Sequence, residues 1–154
     1  MMRGLGIAAA ALMLATPAAA QSDRDLLRTI RSFGNGAAGQ DVGRGTPVDK
    51  VIVLGRRSGE IVVTAMGGAL PDQWPDAAAG TFAILRTRAS TPGGNSAPAP
   101  ADIAYVRRTG HRVFIVGEWA RPPVIWEVAR RGSEVRVRAI DAEARPGPWR
   151  TAAP

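Results

Sequence analysis

Cysteine is absent from this 154-residue chain, histidine occurs once (His111), and a single lysine (Lys50) stands among 20 basic residues. Without cysteine there is no disulfide framework, no thiolate nucleophile and no attachment point for a lipid. One histidine and no cysteine cannot assemble a typical zinc site, which draws on several such ligands. A serine triad would have to use His111, but no Gly-x-Ser-x-Gly elbow is present, and Ser58, Ser90, Ser96 and Ser133 sit in turn-like contexts. Aromatic residues make up only 5% of the chain. Trp74, Trp119, Trp126 and Trp149 are scattered, which suits packing better than a sugar groove. Nor are they interleaved with a basic run, as a single-strand nucleic-acid platform would require. The glycine-rich stretch 34–48 lacks a following Gly-Lys-Ser/Thr, so it is not a phosphate loop.

Long apolar runs are missing too, except at the start. "MMRGLGIAAAALMLATPAAAQSD" carries one charge at Arg3, an apolar run from about Leu5 to Ala15, and the small tripeptide Ala18-Ala19-Ala20. That is the layout of a signal peptide cleaved after Ala20, and the run is too short to span a bilayer stably. The expected location is therefore periplasmic or secreted, with no transmembrane segment after cleavage. Residues 21–154 hold 19 basic residues (20 less Arg3) and all 13 acids, a net charge of +6. Such a charge suits anionic lipid or acidic polymers as partners. However, arginine abundance accompanied by much Ala, Gly and Pro reads at least as much as coding bias, and the arginines are scattered in pairs.

Residues 22–33 carry Leu26, Leu27, Ile30 and Phe33 at helical spacing behind Ser22 as N-cap. A glycine-rich linker to residue 48 follows. Val51–Leu54 and Ile61–Ala65 bracket a turn at Ser58-Gly59, which reads as a hairpin. Strands are expected at 81–87, 112–116, 124–128 and 135–140, with a short helix over 100–109 that Gly110 ends. In "VRVRAI" the alternation puts Arg136 and Arg138 on a wet face. The pattern predicts a single small α+β domain over residues 49–143, with a mainly antiparallel or mixed sheet and a flexible tail at 144–154.

The stretch "FAILRTR" raises the functional question. Period-two alternation places Phe82, Ile84, Arg86 and Arg88 on one face, so an inward-facing row ends in two arginines. A loop, "ASTPGGNSAPAP", and then Asp102 in the first helical turn follow. The order of strand, Arg86-Thr87-Arg88, loop, Ala99-Pro100-Ala101-Asp102, helix, glycine and strand resembles the JAB/MPN (JAMM) metallopeptidase domain, in particular its small bacterial branch. In that family a strand ends in His-x-His and a Ser-x-x-Asp opens the helix. The two His and the Asp hold zinc, and an upstream Glu is the general base. Here Arg86 and Arg88 occupy the histidine places, Ala99 the serine place, and only Asp102 matches a ligand; Glu60 falls in the hairpin turn. Guanidiniums have donors and no acceptor, so they cannot hold a cation.

The resemblance therefore implies a metal-free, cofactor-free relative acting as a binding or accessory module, with Arg86, Arg88 and Asp102 as a degenerate site. Its partner would be a protein, a peptide or an anionic envelope component, with nucleic acid disfavoured. In such a relative a guanidinium can sit against Asp102 directly as a charge-assisted pair. Read from the residues alone, the two arginines can instead be a strand end emerging into solvent, with Asp102 complementing the helix dipole, or the lining of an anion-binding pocket. Two further readings stay open: a hydrolase using carboxylates, drawn from Asp102, Glu118 and Glu127, and an arginine-rich protein binding anionic envelope polymers.

Overall fold

A computed structural model describes residues 23–33, 50–68, 80–88, 97–117 and 124–152, leaving aside the side chains of residues 50, 65–68 and 88. Residues 1–22, with the expected signal peptide and the expected N-cap Ser22, residues 34–48, Trp74, residues 89–96, Glu118 and Trp119 lie outside the described residues. The chain runs α1 (residues 23–33), β1 (Lys50–Arg57), β2 (Glu60–Gly68), β3 (Thr81–Arg88), α2 (Pro100–Thr109), β4 (Arg112–Gly117), β5 (Val124–Arg131), β6 (Glu134–Ile140) and β7 (Arg150–Thr151). The strands form one sheet in the order β2-β1-β3-β4-β5-β6-β7. Every neighbouring pair is antiparallel except β3 and β4, which are parallel. That exception follows from α2, the crossover that returns the chain to the end where β3 began. The expected α+β domain is thus present, with two helices and a mixed sheet larger by one strand than the sequence suggested.

Among the described residues, each face of the sheet is covered by one helix. On one face Leu26, Leu27 and Ile30 of α1 pack on Ile52, Leu54, Ala83, Leu85, Phe114, Val116, Ile125 and Ile140. Burying each of the three helical side chains contributes about 1.5–3 kcal/mol. On the other face Ile103, Tyr105 and Val106 of α2 meet Val51, Val53, Ile84, Val113, Ile115 and Val128. Consecutive residues of β1, β3 and β4 divide strictly between the two clusters, so the central strands are near-continuous apolar runs. Gly110 closes α2 with φ 75°, and its N–H donates to the Val106 carbonyl at 2.8 Å.

Two features depart from simple alternation. Leu54 pairs with Ala83 but Gly55 with Thr81, so Phe82 has no partner on β1 and forms a bulge. It therefore packs on the α1-side cluster and does not share the face of Ile84 and Arg86, as strict alternation had suggested. The second is the C-terminal stretch expected to be a tail. Gly147 N–H donates to the Ala139 carbonyl at 2.8 Å, and Arg150 and Thr151 pair with Val137 and Arg136 as β7. Proline and glycine in "ARPGPW" suggested fraying, but here they turn the chain back onto the open edge of β6.

Candidate functional site

Arg86 lies in the interior of the α2-side face. Its strand neighbours are Val51 on β1 and Ile115 on β4, both buried and apolar. A guanidinium in such surroundings costs several kcal/mol unless it is paired. Asp102 is the partner: Arg86 Nη1 donates to Asp102 Oδ1 at 2.8 Å, with side chains 4% and 0% exposed. The other carboxylate oxygen, Oδ2, accepts the Ala99 N–H at 2.6 Å. This is half of a capping box, since Ala99 has no side-chain acceptor to complete it. One carboxylate thus ties together the end of β3, the close of the 89–99 loop and the first turn of α2. Of the three residues in the degenerate-site reading, Arg86 and Asp102 converge. Arg88 ends β3, and its side chain lies outside the described residues.

A second ionic cluster, which no motif in the sequence announces, occupies the α1-side face. Glu127 is wholly buried and is held by two arginines. Arg112 Nε donates to Glu127 Oε1 at 2.7 Å, with Nη2 on the same oxygen, and Arg138 Nε donates to Oε2 at 2.6 Å. Asp23, the first residue of α1, closes the ring: Oδ1 accepts from Arg112 at 2.9 Å and Oδ2 from Arg138 at 3.2 Å. Two cations and two anions cancel, which lets the group sit beside the apolar cluster. Burial pushes the Asp23 carboxyl up, but the guanidiniums of Arg112 and Arg138 outweigh it and hold the group below its ordinary value. Arg138 also stacks on Trp149, 4.2 Å from the ring centroid, while Arg131 covers the same ring at 4.6 Å.

Arg138 is only 7% exposed, so its expected place on a wet face is corrected. The cause is the lid that α1 and the C-terminal segment put over that face. Parity puts the three on one face, since Arg112, Glu127 and Arg138 each sit two positions from a buried Phe114, Ile125 or Ile140, but it does not say what covers that face. Farther along α1, Arg31 donates to the carbonyls of Ile140 (2.8 Å) and Asp141, tying the helix to the end of β6.

The carboxylates named for hydrolysis stand differently from a general acid or base. Both oxygens of Asp102 and both of Glu127 are engaged by guanidinium or backbone donors. Glu118 is outside the described residues. Among the described residues His111 Nδ1 is buried without a hydrogen-bond partner, and its ring lies 6.4 Å from that of Tyr105. Open clefts of 380 and 510 Å³ flank α1 and residues 139–147, and Arg86 and Asp102 line neither. Among the described residues no group of three His, Cys, Asp or Glu gathers as a metal site requires, and no helix is long and apolar enough to cross a membrane.

Compared with protein-family models, with characterised proteins and with solved structures, the chain matches none of them.

Proposed function

We propose that the chain is a non-catalytic binding or accessory module, secreted or periplasmic, on a metal-free scaffold resembling the JAB/MPN domain. The observation that carries this reading is the Arg86–Asp102 pair. In the family that the "RTR…APAD" block resembles, the acid of the helix and two histidines of the strand balance a cation. In this chain the positive charge facing the acid is a guanidinium fixed to the strand. The residues present do not fit zinc: arginine offers no lone pair, and Asp102 already has a donor on each oxygen. The pair then serves to hold loop, strand and helix in one arrangement, and binding falls to the surfaces they carry.

The test is a zinc titration of two proteins, the wild type and Arg86→His/Arg88→His. Expected is no stoichiometric zinc and no melting shift with chelator in the wild type, and a zinc-dependent rise in Tm in the double variant. Stoichiometric zinc in the wild type overturns the metal-free reading, and a double variant that gains no zinc dependence removes the resemblance. For location, the mature N-terminus after export is expected at Gln21.

A further inference from the structure

Composition can set how many arginines a chain has, but not where they meet. β1 and β5 run in one direction and β3, β4 and β6 in the other. The end of β1, the last turn of α2 before β4, and the end of β5 therefore lie at the same end of the sheet. They carry Arg56-Arg57, Arg107-Arg108 and Arg130-Arg131, three pairs far apart in sequence, and all six residues are exposed. The acids at this end are Glu60, Glu134, which is paired with Arg136 at 2.9 Å, and Asp23, which Arg112 and Arg138 hold at the start of β4. Arg57, Arg107 and Arg130 make no ion pair among the described residues. Among the described side chains at the opposite end, Arg31 and Arg86 are buried and Arg145 is paired with Asp141 and Glu143. Among the described side chains, then, Arg57, Arg107 and Arg130 gather three exposed arginines without an ion pair at this one end.

We infer that this arginine end is a docking surface for a membrane bearing anionic phospholipid headgroups. The inference stands apart from the reading of Arg86 and Asp102 and shares no residue with it. Three observations select the occupant. First, the pairs stand on projecting ends, two hairpin tips (Ser58-Gly59 and Gly132-Ser133) and a helix terminus, and three such points rest on a plane. From β1 to β5 the array spans three strand spacings, about 14 Å, which is wide enough for several headgroups. Second, the charge is all arginine, whose fork binds phosphate oxygens bidentately. Third, the nearby rings are already covered: Arg56 lies 4.2 Å from Phe82, Arg108 5.8 Å from Tyr105 and Arg131 4.6 Å from Trp149. Among the described residues at this end no bare aromatic face is offered for stacking a nucleobase, and the hairpin-tip residues carry no apolar side chain to insert, so attachment is electrostatic and peripheral.

The experiment is flotation of the full mature chain with vesicles of phosphatidylcholine alone and of phosphatidylcholine with 30–40% phosphatidylglycerol (roughly the range in which anionic headgroups dominate the surface potential). Expected is binding only to the anionic vesicles, falling steeply as salt rises from about 50 to 300 mM. Each arginine near such a surface is worth about fivefold in affinity, so Arg107→Glu/Arg130→Glu is expected to lower binding by at least about twentyfold. The control, Arg28→Glu/Arg145→Glu, makes the same change in net charge away from this end and is expected to lose no more than about threefold. Circular dichroism and melting of each variant establish that it is folded. Absence of binding to anionic vesicles, equal loss in the control, or binding to a soluble polyanion such as heparin without vesicle binding each overturns the proposal.

Discussion

Asp23 and Asp102 stand on opposite faces of the sheet, yet they are counterparts. Each lies in the first turn of its helix, and each grips an arginine that the sheet presents from beneath that helix. The two helices are therefore fixed by the same device, an acid at the positive end of the helix reaching down to a buried or half-buried guanidinium.

The Arg86–Asp102 device is expected to show strong coupling. Breaking a buried pair by removing one partner typically costs about 3–5 kcal/mol. Arg86→Met and Asp102→Asn should each fall near that range in urea unfolding. The double variant should lose less than the sum by at least about 1.5 kcal/mol, because the second change leaves no charge stranded. Additive losses would mean that the two side chains do not interact in solution.

Arg138→Ala is expected to cost about 1–3 kcal/mol, since it leaves Glu127 Oε2 without its donor, while Arg112 still holds Oε1, and bares one side of Trp149. Arg136→Ala, two residues away on an exposed pair with Glu134, should cost no more than about 0.5 kcal/mol. Equal small losses at both positions would place Arg138 in solvent.

Acid unfolding carries the signature of Asp23. Its folded value is depressed below the ordinary 3.8, so its contribution is present above that pH and lost as pH falls towards the lower folded value. Asp23→Asn should cost about 1 kcal/mol at pH 7, Asp23 being partly exposed. The gap between wild type and variant should then close below about pH 4. A gap constant from pH 7 to pH 2 would exclude a charged role.

Gly55 tests the bulged edge. A β-carbon there would come within 2.7 Å of Thr64 Cγ2, while the Thr64 hydroxyl donates to the Val53 carbonyl at 3.2 Å. Gly55→Ala should cost about 1–3 kcal/mol through overpacking. Adding Thr64→Ser, which removes the methyl and keeps the hydroxyl, should restore most of it. No recovery would point to backbone strain at residue 55 in place of a side-chain clash.

What was legible in the sequence was whatever period and punctuation encode. Leu26, Leu27 and Ile30 announced α1, Ser58-Gly59 its hairpin, and Pro100 with Gly110 the limits of α2. The guanidinium facing Asp102 was also accessible, because Arg86 follows Ile84 on an inward row and Asp102 opens the next helix. The second cluster was hidden for a different reason. Asp23, Arg112, Glu127 and Arg138 come from four elements, and their meeting depends on which face α1 covers, a fact that no single strand's alternation contains. An arginine two residues from a buried isoleucine looks the same whether solvent or a helix lies over it. β7 was missed because two residues of strand leave no period to read.

The link from α1 to the sheet also sets an order of events in synthesis. Asp23 emerges early from the ribosome, but the two arginines that hold it lie 89 and 115 residues further along. Until β6 has been made, the stripe of Leu26, Leu27 and Ile30 has no complete surface on which to close. α1 is thus secured only after β6, and until then its apolar stripe lacks the complete surface that buries it.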